Sequence, residues 1–317
     1  MSLKIKLLGV RGSLPTPHTK KERRTFAVEL LSKYLDSSDK DIDSFIDSLS
    51  HPFLYGLGGN TMCALVKTNE TTLLIDGGTG IRNYIDDAMS GPLGRGKGEL
   101  HIFMTHFHWD HIMGLPFFSP IYIPGNKIHF YAVQPELEDV IKQVFRRPYF
   151  PVDFKTLRSS IVFHQVEARK PFKIGDLTVT PYMLDHPDAC YGPKITDSRG
   201  KTYSHAVDHE AIRMTAKELD EDLPFFQGVD LMLFDAQYSV SEAAEKINWG
   251  HSSALKGLKL AEREKIKKIV FAHHDPMHTD MMVQETAEES YVQFQNIVGK
   301  DKEVDWELAV EGREFIL

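Results

Sequence analysis

The segment that most constrains the fold of this chain is THFHWDH, residues 105–111. It directly follows the apolar run LHIFM, which predicts a buried strand that ends at this point. Four side chains able to bind metals then fall within six residues and project from one turn into a shared space: His106, His108, Asp110 and His111. Neutral imidazoles and a carboxylate suit zinc, iron or manganese. The segment therefore predicts a metal site at the end of a strand.

The rest of the chain alternates predicted strands with helices. Apolar runs such as LKIKLLGV, TMCALVKT, TTLLID and LTVTPYML predict strands, and residues 136–145 and 252–264 are expected to be helical. The charged stretch 19–50 has apolar residues at helical spacing, which predicts a helical insertion. Because we find neither an internal repeat nor a low-complexity linker, the economical prediction is one α/β domain spanning residues 1–317.

Composition narrows the class of partner. The formal net charge is −8 and the isoelectric point is near 6.0. Proteins that bind long nucleic acids usually carry a basic face, so a large polynucleotide substrate is disfavoured. The sequence has no run of about 18 apolar residues and no signal-peptide pattern at its start, so we expect a cytoplasmic protein without a membrane partner. Cys63 and Cys190 lack a CxxC spacing and are expected to be small buried hydrophobic residues.

The THFHWDH segment resembles the signature of the metallo-β-lactamase superfamily. The resemblance implies a four-layer αββα sandwich that holds two divalent metal ions, with zinc expected and manganese or iron as alternatives. Further matches follow in the family's order, in LDHPD, AVDHE and IVFAHHDP. The resemblance implies that the first metal binds His106, His108 and His186, that the second binds Asp110, His111 and His273, and that Asp208 bridges them.

Other histidines near these positions leave alternatives open. His273 and His274 are adjacent, and strand alternation sends them to opposite faces, so only one of them should bind metal. The resemblance favours His273, because the ligand in similar proteins directly ends the apolar run. Whether His274, His205 or His209 contributes stays open, and His129 and His164 are expected to be structural.

Three further phrases resemble one branch of the superfamily, which contains the tRNA 3′-processing endonuclease RNase Z and related phosphodiesterases. These phrases are GVRGSLPTP with LLIDGGTGIR, LMLFDAQY, and WGHSSALKGLKLA. In that branch the histidine of the GHSSA phrase faces the scissile phosphate, which implies a catalytic role for His251. The alternative is that Ser252 caps the following helix and that His251 merely precedes it.

The same resemblance narrows the expected substrate. The tRNA-processing enzymes carry a long glycine- and proline-bearing arm that grips tRNA, and this sequence shows no comparable arm. Together with the acidic net charge, this departure disfavours tRNA maturation. The sequence motifs resemble those of bacterial phosphodiesterases of the branch more than those of the tRNA-processing enzymes. Some of these phosphodiesterases act on cyclic nucleotides. A homodimer is also implied by the resemblance.

The expected mechanism assigns roles to individual residues. Two metal ions in such a site lower the pKa of a bridging water and clamp the phosphate oxygens during an in-line displacement. Asp110 would accept or orient the proton of that water, and His251 would donate a hydrogen bond or a proton to the phosphoryl or leaving oxygen. The candidates for contact with the phosphate are Arg11 and the backbone amides of Gly77, Gly78 and Gly80. An equal alternative is that these glycines only permit tight turns.

Aromatic residues offer a further candidate contact. Tyr149, Phe150 and Phe154 lie in a proline-bearing stretch, where they could stack on a base or pack into the core.

The sequence thus predicts a binuclear metal-dependent phosphodiesterase that cleaves a small phosphodiester by a metal-activated hydroxide. A cyclic nucleotide is the best single candidate. Three alternatives stay open: an RNase Z-like endoribonuclease, a hydrolase of carboxyl esters, lactones or thioesters on the same metals, and a metal-binding sensor or scaffold without activity. The GHSSA histidine argues against the second of these, and the complete ligand set argues against the third.

Overall fold

The computed structural model describes residues 2–49, 53–54 and 56–317, whose strands form two seven-stranded sheets. In spatial order, the first sheet contains β14 (Glu314–Ile316), β1 (Lys4–Gly9), β2 (Cys63–Lys67), β3 (Thr72–Ile75), β4 (Glu99–Phe103), β5 (Lys127–Ala132) and β6 (Ser160–Gln165). The strands from β3 to β6 are parallel, and the pairs from β14 to β3 are antiparallel.

The second sheet has a similar division. In spatial order it contains β13 (Trp306–Leu308), β12 (Ile269–Ala272), β11 (Leu231–Asp235), β10 (Thr202–Ala206), β9 (Tyr191–Thr196), β8 (Leu177–Met183) and β7 (Phe172–Ile174). The strands from β10 to β13 are parallel, whereas those from β7 to β10 pair antiparallel.

Both faces of each sheet are covered, and successive residues of a strand point into different layers. In β11, Leu231 and Leu233 pack between the two sheets, whereas Met232 and Phe234 pack under the helices outside. Because strands covered on both faces bury every side chain, their apolar runs are continuous rather than alternating. The layers follow as helix, sheet, sheet and helix, which confirms the αββα sandwich that the resemblance implied.

The helices supply the two outer layers and several connections. They include α1 (Lys20–Asp36), α2 (Ile42–Asp47), α3 (Ile85–Ser90), α4 (Trp109–Ile112), α5 (Leu137–Val144), α6 (Ala216–Leu219), α7 (Val240–Glu245), α8 (Ala254–Glu264) and α9 (Asp280–Val298). Ile141 of α5 packs on the first sheet, and Leu258 of α8 packs on the second. Within the described ranges, none of the helices has the length and apolar character needed to cross a membrane.

Helices α1 and α2 occupy the stretch in which the sequence predicts an insertion. Thr19 caps α1 through reciprocal hydrogen bonds with Glu22, and no residue of this helix is buried. Tyr34 packs edge-on against Phe45 of α2, with ring centroids 5.2 Å apart. The placement of this stretch as an insertion in one domain of residues 1–317 stays a prediction. Its last residue, Ser50, lies outside the described residues, as do Met1, His51, Pro52 and Tyr55.

The carboxyl ends of the parallel strands of both sheets meet at one edge of the sandwich. The loop after β4 contacts the second sheet directly, because the backbone N–H of Tyr191 donates to the carbonyl of Thr105 at 3.0 Å. Loops that follow β4, β10 and β12 are thereby brought together. The candidate ligands predicted from the sequence lie at this edge.

Candidate metal centre

Three overlapping groups of side chains that could bind metal meet at this edge of the sandwich. Within each group, one nitrogen or oxygen atom per residue lies within 4.8 Å of the others. Group A consists of His106, His108, His186 and Asp208, and group B consists of Asp110, His111 and His273. A third group, which shares residues with both, consists of Asp208, Asp235, His251 and His273. The structure therefore brings together all seven residues that the resemblance assigns to metals. Their function as ligands stays a proposal.

Asp208 lies between the two groups. Its Oδ2 is 2.9 Å from His111 Nε2 and 3.4 Å from His273 Nε2. Its Oδ1 is 3.8 Å from His106 Nε2 and 3.9 Å from His186 Nε2. One carboxylate oxygen thus belongs to each group, which suits a carboxylate that bridges two cations.

Three buried atoms at the centre make no hydrogen bond of good geometry among the described residues: His106 Nε2, His111 Nε2 and Asp208 Oδ2, although the last two lie 2.9 Å apart. A buried polar atom without a partner costs about 1–3 kcal/mol, so such atoms call for a bound ligand. Imidazole nitrogens and a carboxylate oxygen are together a donor set for zinc and similar divalent cations. The residues present therefore fit the metal ions that the resemblance implies.

The charge balance of group B favours a cation. Burial lowers the pKa of His111, but the carboxylates of Asp208 and Asp110 outweigh it and hold that pKa well above its ordinary value. Burial also lowers the pKa of His273, and the same two carboxylates raise it to about 9. Carboxylates that stabilise a proton on these rings also stabilise a metal cation, so protons and metals compete for the site.

The second ring nitrogen of each group B histidine has a partner of its own. His111 Nδ1 lies 2.8 Å from Asp76 Oδ2, and His273 Nδ1 lies 2.8 Å from Gln237 Oε1. Since both partners accept hydrogen bonds, they keep the proton on Nδ1 and direct the Nε2 lone pair toward the centre. Sequence reasoning missed both residues. A signal existed for Asp76, because it directly follows an apolar strand.

Group A forms the open side of the centre. Asp188 Oδ2 lies 2.8 Å from His108 Nε2, and the backbone oxygen of Asp188 lies 3.1 Å from His186 Nδ1. These contacts leave Nδ1 of His108 and Nε2 of His186 for a cation. The side chain of His108 is 46% exposed and that of Asp188 is 72% exposed, so solvent reaches the centre from this side.

Three residues of the centre share a left-handed backbone. Asp76, Asp208 and His273 have φ values of 61°, 60° and 61°. Each lies one or two positions after a strand end, where the chain turns away from the sheet. Positive φ is uncommon outside glycine, but aspartate and histidine adopt it several-fold more often than most residues, so these turns use residue types that also bind metal.

His251 lies beside both groups and is held by Asp235. Its Nδ1 is 2.9 Å from Asp235 Oδ2 and 3.8 Å from Asp208 Oδ1, and its ring stacks on His273 with centroids 4.8 Å apart. The alternative interpretation is wrong in the position of the cap, which is not Ser252. The cap of α8 is Ser253, which makes no side-chain capping bond.

The structure gives Arg11 a different place from the predicted contact with phosphate. The residue is 4% exposed, and its guanidinium pairs with the carboxylate of Asp280. It also donates to the carbonyls of Gly58, Asp275 and His278 at 2.9, 3.3 and 3.1 Å. Because these partners use its donors, Arg11 ties the turn after β1 to the start of α9 and is not placed to bind an anion.

The glycine turn after β3 also differs from the predicted anion site. The N–H groups of Gly77, Gly78 and Gly80 donate to the carbonyls of His111, Met62 and Thr61 at 2.7, 3.0 and 3.1 Å. A Cβ on Gly78 would lie 2.2 Å from the carbonyl oxygen of Asp110. The glycines therefore allow the turn to pack against the ligand loop, which was the alternative interpretation.

The five other histidines considered in the sequence analysis make hydrogen bonds outside the metal-binding groups. His274 Nε2 lies 3.0 Å from the carbonyl oxygen of Ala309, His205 bonds to Tyr203, and His209 accepts from the backbone N–H of Asp185. His129 and His164 bond to each other at 2.9 Å. None of these five belongs to a metal-binding group among the residues that the structure describes.

The three candidate stacking residues have different environments. Tyr149 is 78% exposed, whereas Phe150 and Phe154 pack against Phe145 of the core.

Comparison with protein families identifies the class of protein. Residues 71–274 match the model of the beta-lactamase superfamily domain. The chain therefore belongs to this superfamily, which confirms the resemblance seen in the sequence, and it is a metal-dependent hydrolase of the metallo-β-lactamase fold.

Individual proteins resemble the chain over different lengths. Ribonuclease BN of Cronobacter sakazakii is 30% identical over 134 residues, which span 39% of this chain and 38% of that protein. The metallo-β-lactamase fold protein YhfI from Bacillus subtilis has a TM-score of 0.63 at 14% identity, covering 100% of this chain and 99% of its own. Yeast PDE1 has a TM-score of 0.63 at 16% identity, with the same coverage. At these identities the two structures show a shared fold.

Proposed function

We propose that this chain is a phosphodiesterase that hydrolyses a small phosphodiester, with a cyclic nucleotide as the best single candidate. One observation carries the proposal. The Nδ1 atom of His251 is fixed by Asp235 and lies 3.8 Å from Asp208 Oδ1, and Asp208 in turn contacts both ligand groups. A ring able to donate a proton thus lies beside the groups that we propose to hold two cations, and this arrangement suits phosphoryl transfer to water.

The two groups would hold two divalent cations, and we propose zinc in both, with manganese or iron as alternatives. The first cation would bind His106, His108 and His186, the second would bind Asp110, His111 and His273, and Asp208 would bridge them. When bound, two such cations lower the pKa of water and polarise the phosphate oxygens.

Two protein side chains would handle protons. The Oδ2 atom of Asp110 accepts a hydrogen bond from the backbone N–H of Ser13 at 2.8 Å, which fixes the carboxylate. We assign to Asp110 the orientation of the attacking water and acceptance of its proton. Because Asp235 occupies Nδ1 of His251, Nε2 is the nitrogen left to donate to the leaving oxygen.

Exposed indoles beside group A suit a nucleobase. Trp109 directly follows His108, and Trp249 precedes Gly250, where a Cβ would lie 2.2 Å from the ring of His186. Since the rings of His108 and His186 are 4.9 Å apart, both tryptophans leave the backbone close to the open group. They are 65% and 62% exposed. Aromatic side chains in such positions bind bases by stacking.

The comparisons and the charge support the same substrate class. Yeast PDE1, by its name a phosphodiesterase, shares the fold along the whole chain. The net charge of −8 disfavours a long polyanion and has less effect on a mononucleotide.

The test is hydrolysis of bis(p-nitrophenyl) phosphate by zinc-loaded protein, with cyclic nucleotides assayed in parallel and metal content measured. We expect His251→Ala to keep both metals and to lose about 10²–10⁴-fold in kcat, the usual contribution of a general acid. His18→Ala, at an exposed histidine outside both groups, is the matched control and should keep full activity. Metal-loaded wild type that ignores every phosphodiester but cleaves lactones or thioesters would overturn the proposal.

A second candidate is an endoribonuclease like RNase Z. Two observations favour it: the match to ribonuclease BN, and four exposed basic residues at the start of α1, namely Lys20, Lys21, Arg23 and Arg24. A tRNA precursor with a 3′ extension, added to the same assay, distinguishes the two candidates. Cleavage of the precursor that is weakened when these four residues become glutamine would favour the endoribonuclease.

A further inference from the structure

An ionic network with buried carboxylates adjoins the loop that carries His186. Arg213 donates from Nε to Asp185 Oδ1 at 2.5 Å and from Nη1 to Asp222 Oδ2 at 2.7 Å. Its Nη2 donates to the carbonyl of Met183 at 3.0 Å. Asp185 is 9% exposed and Asp222 is 1% exposed, so both carboxylates depend on protein partners.

Asp185 joins two loops that carry candidate ligands. It precedes His186, and its Oδ2 accepts from the backbone N–H groups of Ile212 and Arg213, both at 2.8 Å. Its own N–H donates to His209 Nδ1 at 3.0 Å, and its carbonyl accepts from the N–H of Glu210 at 2.7 Å. The loop of His186 is therefore fastened to the loop after Asp208, with Arg213 as the charge that neutralises the junction.

Group B has no direct share in this junction. Asp76 holds His111 and Gln237 holds His273, and neither of them hydrogen-bonds to Asp185 or Arg213 in the described part of the chain. A change at Arg213 therefore acts first on the position of His186, which belongs to group A alone, whereas the contacts of Asp208 with His111 and His273 do not involve Arg213.

We propose that Arg213 is a positioning residue that sets the affinity of group A for its cation and leaves that of group B unchanged. The inference rests on the proposed function, because it requires that both groups bind metal. Without Arg213, the carboxylate of Asp185 would keep only its backbone donors, and the loop of His186 would shift toward solvent to hydrate the charge. Such outer partners usually change metal affinity by about 10–100-fold.

The experiment compares Arg213→Met with Arg169→Met. Arg169 donates to the same Asp222 at 2.8 and 2.9 Å but makes no hydrogen bond to Asp185 among the described residues, so it is a matched control. Metal-free proteins are titrated with Co²⁺, and both binding steps are followed by the visible absorption of the cobalt and by competition with a chelator.

We expect wild type and Arg169→Met each to bind two Co²⁺ ions. For each binding step, the dissociation constants of the two proteins should agree within about twofold. Arg213→Met should weaken one step by about 10–100-fold, and Arg213→Lys, which restores a charge but not the fork of donors, should fall between. Two unchanged binding steps in Arg213→Met, or equal weakening of both, would overturn the inference. If Arg213→Met does not fold, Arg213→Lys decides by the same criterion. Wild type that binds no Co²⁺ would instead overturn the proposed function, and this inference with it.

Discussion

Replacing Asp76 by asparagine tests whether a carboxylate outside the ligand set tunes group B. Asp76 Oδ1 accepts from the N–H of Thr105, and Oδ2 accepts from both the Thr105 hydroxyl and His111 Nδ1. An asparagine that keeps the first bond must place its NH₂ group where Oδ2 was. The Thr105 hydroxyl and the Nδ1–H of His111 would then face this NH₂ group, which is itself a donor and cannot accept their hydrogen bonds. Because asparagine tolerates the φ of 61° at this position, the backbone should survive the substitution.

The expected magnitude follows from this mismatch. To bond with the amide, His111 must move its proton from Nδ1 to Nε2, which removes the lone pair available to the cation. A hydrogen bond to a charged group is worth about 1.5–3 kcal/mol, which corresponds to roughly 10–150-fold in a binding constant. We expect the cation of group B to bind about 10–100-fold more weakly in Asp76→Asn.

Competition between the protein and a chromophoric zinc chelator measures this affinity. The control is Asp188→Asn, which alters a contact of the same 2.8 Å length to His108 but at a carboxylate that is 72% exposed. Exposed pairs contribute little, so this variant should stay within about threefold of wild type. Equal affinities in wild type and Asp76→Asn, or an equally large loss in Asp188→Asn, would refute the reasoning.

Three further predictions concern substrate, metal and acid. Trp109→Ala and Trp249→Ala should each raise KM for a nucleotide substrate about 5–100-fold with little change in kcat, since a stacked base is worth about 1–3 kcal/mol. Met89→Ala, at another exposed apolar side chain, is the control, and an unchanged KM in both tryptophan variants would contradict stacking. Removing bound metal with a chelator should lower Tm by about 5 °C, because a ligand at 100 times its Kd adds about 2.7 kcal/mol. A Tm that does not respond would show that metal binding and folding are not linked. Burial raises the pKa of Asp222, but Arg169 and Arg213 outweigh it and hold that pKa below its ordinary value of 3.8. The contribution of Asp222 is therefore complete above pH ~4 and is lost as the pH falls through the lowered pKa. Measured by urea unfolding, the free energy of unfolding should fall more steeply with decreasing pH in wild type than in Asp222→Asn. Equal dependence on pH in the two proteins would contradict this.

Part of the site could be predicted because it obeys local rules. The ligands from His106 to His111 are contiguous in the sequence and follow one apolar strand. Asp208 and His273 lie far along the chain, but each follows a parallel strand, and parallel strands end at the same edge of a sheet. The αββα layers were expected from the family resemblance. Strand β11 is buried on both faces, which explains why its apolar run is unbroken.

Other features depend on contacts that no local pattern shows. Arg11 stands in a glycine-flanked turn, and only the folded chain reveals that Asp280, near the start of α9, neutralises it. Asp76 and Asp235 each stand at the carboxyl end of an apolar strand, yet the sequence did not tell that they bond to His111 and His251. Contacts of this kind form between separate loops, and the packing of the folded chain determines how those loops lie relative to one another.

The left-handed backbone at Asp208 and His273 has a consequence for how this protein tolerates change. A side chain with a Cβ costs about 1–2 kcal/mol more than glycine in this conformation. Glycine at either position would therefore relax the turn while it abolishes a proposed ligand, so an inactive variant could be more stable than the active enzyme. In a search for thermostable variants these two positions would be among the first to drift, and a screen for stability alone would erode the centre. Library design should therefore keep both residues fixed.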